Sequence, residues 1–253
     1  MRLGALLLAA AAALPLPAAA EAIVAELSQT RVSITANFDG SEILVFGAVK
    51  REAPLPDSEL DVVITVLGPL EPIVVRRKSR VAGIWVNTAS VEVDAAPTFY
   101  AIATTGPLAA VMSDTEDLRH KVSIARAIRS VGAPQDVTDS ESFTEALIRI
   151  RQDSGLYQLE EGGVRLKDAT LFDTAFALPA NLTEGEYRTR IFLTRDGTVI
   201  DRYETTISVS KVGLERYLFA LAHDRPALYG LLSLLIAIAA GWGASSAFRY
   251  LRR

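Results

Sequence analysis

The sequence predicts a mainly β protein: an immunoglobulin-like antiparallel sandwich with an inserted helical pair, followed by one C-terminal transmembrane helix. Three observations carry that reading. Apolar residues alternate at period two through 22–105 and again through 157–210, with turn signals at the roughly 8–12-residue spacing of sandwich strands. Between those stretches, over 113–153, the apolar spacing changes to that of a helix face. Near the end, Ala227 to Phe248 runs 22 residues without a charge, roughly 33 Å of helix and enough to cross a hydrocarbon core.

In residues 1–20 one cation, Arg2, precedes an uncharged Leu/Ala run that breaks at Pro15 and Pro17 and closes on Ala18-Ala19-Ala20. That is the pattern of a secretory signal peptide cleaved after Ala20, with an uncleaved anchor as the competing reading. A β lobe over 21–112 follows. Ile23, Ala25 and Leu27 alternate, then Val32, Ile34 and Ala36; Asp39-Gly40 is a turn, and Ile43, Val45, Gly47 and Val49 resume. After Pro54 and Pro56 come Leu60, Val62, Ile64 and Val66, ended by Gly68-Pro69, with further strands expected at 72–77, 82–87, 90–94 and 98–104.

The helical pair spans 113–156. Ser113 to Glu116 is a capping box, after which Leu118, Val122, Ala125 and Ile128 share one helical face. Thr138 to Glu141 is a second capping box, continued by Phe143, Ala146, Leu147 and Ile150 and stopped at Gly155, with Gly132 and Pro134 dividing the two helices. Strands return over 157–212, as a second β lobe joined through the helices, the preferred reading, or as the completion of the first. Tyr187 to Thr194 and Val199 to Ser210 flank Asp196-Gly197, a strong hairpin signal. Leu182 to Tyr187 resembles the tyrosine corner of immunoglobulin-like domains, whose hydroxyl bonds nearby backbone.

Residues 213–225 form a short amphipathic helix, either lying along the membrane interface or extending the membrane helix itself. The membrane helix is assigned to 226–248 and a cytoplasmic tail to 249–253. Three cations flank the span on each side, Lys211, Arg216 and Arg225 before it and Arg249, Arg252 and Arg253 after it, so the positive-inside count is a tie. The signal peptide breaks the tie. It sends the body across, giving a single-pass protein of the bacterial inner membrane with its body in the periplasm and its C-terminus in the cytoplasm. Of 26 basic residues, Arg2 and the three tail arginines lie outside that body, leaving 22 against 30 acids and a net charge of −8.

Composition narrows the function classes. The chain has no cysteine, which excludes a disulfide framework, a thiolate nucleophile and an iron–sulfur cluster. A formal charge of −4 lacks the Lys/Arg surplus of a nucleic-acid binder. His120 and His223 are the two histidines, with no ligand spacing to each other or to a carboxylate; His120 reads as a surface residue on the polar side of its helix. Nucleophile elbows and phosphate loops are absent from the sequence, so no metal, cofactor or catalytic residue is assigned and the chain reads as non-enzymatic.

Two features stand above background. Arg76, Arg77, Lys78 and Arg80, beside Trp85, form a candidate anion-binding or partner-docking patch. The plainer reading makes this a solvated hairpin tip whose Trp85 is sandwich core. In the membrane helix, Ala237, Gly241 and Ser245 recur every four residues, with Gly243 in a parallel row. Small residues at that spacing let another helix approach closely, against the plainer reading of Ala/Gly filler.

Several of these stretches together resemble the alphaproteobacterial transmembrane protein family Alph_Pro_TM. The matching residues are Val32 to Thr35, Phe38-Asp39-Gly40, Ile43 to Gly47, Arg76-Arg77-Lys78, Gly83 to Asn87 and Pro97 to Tyr100. Leu178 to Asn181, Gly185-Glu186-Tyr187, Val212 to Glu215, Leu228-Tyr229-Gly230 and Gly241-Trp242-Gly243 complete them. The resemblance implies an exported, single-span protein without assigned catalytic residues, encoded beside permeases of the sulfite-exporter type. The leading expectation is therefore a periplasmic accessory protein whose helix packs against a polytopic membrane partner of that type, or against a second copy of itself. The alternative is an anion-binding sensor or scavenger that uses the Arg76–Arg80 patch.

Overall fold

The computed structural model describes residues 21–35, 37–52, 54, 58–130, 139–212 and 214–251. The leader assigned to 1–20, the breaks at Pro56, Gly132 and Pro134, Thr138 of the second capping box and the tail residues Arg252 and Arg253 lie outside them. In chain order the strands are β1 (Glu21–Leu27), β2 (Arg31–Ile34), β3 (Ser41–Arg51), β4 (Leu60–Leu67), β5 (Leu70–Val81), β6 (Ile84–Pro97) and β7 (Tyr100–Thr104). The helices α1 (Leu108–Val111), α2 (Asp114–His120), α3 (Ile124–Ala127) and α4 (Ser140–Asp153) follow. Then come β8 (Tyr157–Glu160), β9 (Arg165–Lys167), β10 (Leu171–Leu178), β11 (Gly185–Arg195), β12 (Thr198–Lys211), α5 (Leu214–Asp224) and α6 (Pro226–Leu251).

The strands form a four-stranded sheet in the order β1-β3-β10-β9, a six-stranded sheet in the order β2-β12-β11-β4-β7-β8, and a separate hairpin β5-β6. This corrects the two-lobe expectation. β10 pairs with β3 and β11 with β4, so strands from 157–212 are built into the same sheets as those from 21–112. Two compact units result: Met1–Val32 with Asp39–Val209, which holds the sandwich, and Ser33–Phe38 with Ser210–Arg253, which holds α5 and α6.

The pairing is antiparallel except at β7 and β8, which run parallel from Tyr100↔Tyr157 to Ala103↔Glu160. Parallel neighbours cannot be joined by a tight turn, so the chain needs a long crossover there, and the helical insert is that crossover. β4 and β7 are buried on both faces: Val62, Val63, Ile64 and Val66 are at most 1% exposed, and every residue of β7 is buried. Their sequences are accordingly near-continuous apolar runs, interrupted in β4 by Asp61 and Thr65 and ended in β7 by Thr104.

Pairing register sorts the two faces. Ile64, Ile191 and Ala103 share one, and Val63, Thr65, Ile102, Arg190 and Phe192 the other. On the second face the insert is tied down by hydrogen bonds. Tyr100 Oη donates to the Val122 carbonyl at 2.6 Å, and the Arg190 guanidinium reaches Thr65 Oγ1 at 3.1 Å, the His120 carbonyl at 2.7 Å and Tyr100 Oη at 3.1 Å.

The first helix of the insert is not the continuous one that the apolar spacing suggested. α2 is capped as expected, with Ser113 Oγ accepting from the Glu116 amide, but it ends at Lys121 in a left-handed conformation (φ 52°). The Asp117 carboxylate then accepts from the amides of Val122 at 2.9 Å and Ser123 at 2.7 Å and pairs with Arg126 at 2.8 Å. These bonds satisfy amides that a continued helix would have used, and α3 starts afresh. Val122 and Ile128 are buried, yet Leu118 is 62% exposed. His120 is no surface residue: it packs on the Phe192 ring at 5.2 Å and pairs with the buried Glu116 at 3.2 Å.

The second helix has its N-cap at Asp139, one residue later than its capping box implied, and buries Phe143 and Leu147 but leaves Ile150 exposed. It stops at Gly155 (φ 71°), as expected.

Two local signals are realised as read. Asp196 (φ 49°) and Gly197 (φ 73°) close the β11–β12 hairpin, and Tyr187 Oη donates to the Thr183 carbonyl at 2.7 Å. At the start of β1 the Glu21 carboxylate, 7% exposed, is held between Arg51 Nε at 2.7 Å and Arg195 Nη2 at 2.6 Å. Loss of the Glu21 carboxylate leaves two mostly buried guanidiniums without their shared counter-charge, at a cost of about 3–5 kcal/mol.

α6 is apolar all round, and along its stretch Pro226–Ser245 of 20 residues no side chain is buried within the chain. Pro226 has no N–H to donate, so the helical ladder is interrupted there and α5 is a helix in its own right.

A Cβ on Gly47 would sit 2.7 Å from the Val24 carbonyl oxygen and 2.5 Å from the Phe172 ring. Backbone on one side cannot give way. Gly47→Ala should therefore destabilise the body by about 1–3 kcal/mol, read as a lower Tm in thermal unfolding, and an unchanged Tm would contradict the packing of β1 on β3. Burial also pushes the hydroxyls of Tyr100, Tyr157 and Tyr187 up to about 12 each, from an ordinary value near 10. Because the folded values lie above the unfolded ones, the stability these groups contribute is complete below about pH 10 and is lost as pH rises toward 12. Ultraviolet titration should find these tyrosines ionising after the exposed ones, together with loss of the fold.

Candidate functional site

The five-residue basic run lies on β5, a strand whose partner β6 continues it past the tight turn at Ala82 (φ 48°) and Gly83 (φ 89°). The structure thus replaces the expected short strands 72–77, 82–87 and 90–94 by one long hairpin whose turn falls inside the second of them. Positive φ at both turn residues is the two-residue hairpin geometry that matches strand twist. Ala-Gly is a weaker signal for it than Asp-Gly, which is why the break was not legible.

Alternation along β5 splits the basic run. Arg76, Lys78 and Arg80 point to one face, where their cross-strand partners are Ser90, Asn87 and Trp85. Arg77 points to the other face, together with Ile73 and Val75, whose partners Val93 and Val91 are fully buried. There its guanidinium sits 4.8 Å over the Phe143 ring and pairs with Asp139 at 2.5 and 3.2 Å. Hydrogen bonding to Asp139 raises the Arg77 pKa, and the same bond, first among its causes, lowers that of Asp139. Asp139 is the N-cap of α4, so Arg77 fastens the hairpin to the helical insert.

The predicted patch is therefore three cations and a tryptophan on one face, with Arg77 engaged elsewhere. Trp85 is 69% exposed and is not sandwich core, against the plainer sequence reading. At about 3.3 Å per residue, Arg76, Lys78 and Arg80 are spaced roughly 7 Å apart along the strand, so they form a row and do not converge on one small anion. Sequence reasoning missed Val81 and Ile84, paired at the tip and 51% and 65% exposed. A compositional signal was present: no Asp or Glu occurs between Pro72 and Val91, in a chain with 30 acids.

In α6, Ala237, Gly241, Gly243 and Ser245 are all exposed. A Cβ added at Gly241 or Gly243 would meet nothing within 4 Å, so no contact within the chain requires glycine at either position. Elsewhere, among the described residues, no group of three or more His, Cys, Asp or Glu side chains is placed to hold a metal ion.

The split predicts different behaviour for the two faces. Arg77→Ala should lower the Tm of the body, because it releases both Asp139 and the Phe143 ring. The triple variant R76A/K78A/R80A should leave the Tm within about 2 °C of wild type. Equal losses in differential scanning fluorimetry would contradict this assignment of faces.

No curated protein sequence matches the chain. Among solved structures it is similar to Spo0M, a sporulation control protein from Bacillus subtilis, with a TM-score of 0.30 and 11% identity over 80% of this chain and 54% of that one. The chain thus spans about half the length of that protein, and a likeness this distant carries no argument about either fold or function. The family described as "Putative transmembrane protein (Alph_Pro_TM)" matches residues 22–250. That match runs from β1 to the end of α6 and includes both the β5–β6 hairpin and the membrane helix: the chain belongs to the Alph_Pro_TM family.

Proposed function

We propose that this protein is a non-enzymatic, membrane-anchored accessory subunit. Its β-sandwich body stands in the periplasm, its C-terminus in the cytoplasm, and its helix α6 packs against a polytopic partner. The observation that carries this reading is the unburied, apolar α6, in which two glycines meet no neighbour of their own chain. A helix that serves only as an anchor gains nothing from glycine, whereas close approach of a second transmembrane helix does. The signal-peptide pattern at 1–20 supports export of the body. A permease of the sulfite-exporter type is the expected partner.

The reading is tested by mild-detergent purification of the C-terminally tagged full chain from its native membrane. A stoichiometric polytopic permease should co-purify with wild type and be lost from G241L/G243L, whose body keeps its wild-type Tm. Recovery of the protein alone, or retention of the permease by the double variant, would overturn the helix-packing role.

A further inference from the structure

We propose that the distal end of hairpin β5–β6 docks on an anionic phospholipid surface. Val81, Ile84 and Trp85 enter the boundary between headgroups and acyl chains, and Arg76, Lys78 and Arg80 lie against lipid phosphates. The proposal goes beyond the accessory reading and stands without it, since it needs only that the chain sits in a membrane.

The order of residues along the hairpin is the first support. Starting from the turn, the cross-strand pairs are Val81↔Ile84, Arg80↔Trp85, Ser79↔Val86, Lys78↔Asn87, Arg77↔Ala89 and Arg76↔Ser90. An apolar first pair, with Trp85 and the cations immediately behind it, matches the gradient from acyl chain to phosphate. Interfacial segments insert by only about 5–10 Å, which is two or three residues of strand. Trp85 stands at the level where indole rings collect, with an apolar body and an N–H able to reach the headgroups.

The second support is which face is free. Arg77, Phe143 and Asp139 fasten one side of the hairpin to α4. The row Arg76, Lys78, Arg80 and Trp85 occupies the opposite side, while Val81 and Ile84 fall on the Arg77 side at the very tip, so a hairpin that enters tip first with the row turned to the headgroups presents the three cations, the indole and the apolar pair together. Apart from a bond from Arg80 Nε to the Gly83 carbonyl at 3.3 Å, the side chains of that row make no hydrogen bond or ion pair among the described residues, and the first acid on its face is Glu92, opposite Val74 and next along from the Arg76↔Ser90 pair on the side away from the tip.

Charge supplies the third support. The body as a whole carries an excess of acid, yet no acid occurs from Pro72 to Val91. Near an anionic surface the remainder of the body is repelled while this hairpin is attracted, so the field orients the molecule hairpin first. An acidic protein surface would match the cations, but not the apolar end standing ahead of them.

The chain has two tryptophans, Trp85 and Trp242, so W242F leaves Trp85 as the one emitter. This full-length variant is placed in nanodiscs of phosphatidylcholine, with or without phosphatidylglycerol, in plain and acyl-brominated forms. In phosphatidylglycerol discs the Trp85 emission should shift to the blue, lose most of its intensity to the bromines and resist aqueous iodide.

Adding R76E/K78E/R80E should abolish all three effects. Three cations at roughly fivefold each predict on the order of a hundredfold weaker attachment even before reversal of charge. As a check independent of tryptophan, Ile84→Cys, the single thiol in an otherwise cysteine-free chain, is labelled with a polarity-sensitive dye and should report the same transition. Red, iodide-quenched and bromine-insensitive Trp85 in phosphatidylglycerol discs overturns the proposal. Shielding of Trp85 only when the native permease is co-reconstituted also overturns it, and assigns the hairpin to a protein partner.

Discussion

A strand buried on both faces has to be covered twice, and in this molecule that requirement governs the plan of the body. β4 and β7 are interior strands of the six-stranded sheet. One face of that sheet belongs to the sandwich core, while the other carries Val63, Thr65, Ile102 and Phe192 and would be wet without the helical insert. The insert arrives as the crossover that parallel pairing of β7 with β8 makes necessary. Topology and burial are thus met by one segment. Arg190 shows how tightly: its guanidinium bonds sheet, helix end and tyrosine hydroxyl at once. A charge at such a position is tolerable only because its donors are so well matched.

The same arrangement explains which parts could be read from sequence. Alternation gave the strands, and Asp196-Gly197 gave a hairpin with its register, because both signals are local. The tyrosine corner at Tyr187 was legible for the same reason. Pairing of β10 with β3 and of β11 with β4 was not, since those partners lie more than a hundred residues apart and nothing local announces them. Helix periodicity failed between Leu118 and Ile128 because Asp117, one side chain, satisfies the amides that would have continued the helix. His120 was misread as exposed for a related reason. Its neighbours, Glu116 and Phe192, come from one turn earlier and from a distant strand.

The basic run illustrates the limit from the other side. Composition correctly singled out 76–80, but a strand sends successive side chains to opposite faces, and no count of charges reveals that. Once the hairpin is in place, Arg77 has a structural task and its neighbours do not. Trp85 shows the complementary error. An aromatic residue in a strand pattern reads as core, yet beyond the edge of the sandwich a two-stranded hairpin has no second layer to bury it. In α6, by contrast, composition alone was sufficient, because hydrocarbon imposes one requirement along the whole helix.

An open sandwich leaves strands at the borders of its sheets, and such borders invite pairing with another molecule. Three of the four here are short: β2 and β8 have four residues each and β9 has three. β1 is the exception, with seven residues. Its Ile23 amide, however, donates to Asp201 Oδ2 at 2.7 Å, so a carboxylate already occupies the place that an incoming strand would take. Proteins held in a membrane meet one another at high density and in few orientations, conditions that favour edge-to-edge polymerisation. On the β1 edge the Asp201 carboxylate takes one donor that a neighbouring strand would need, and so weakens that edge as a template.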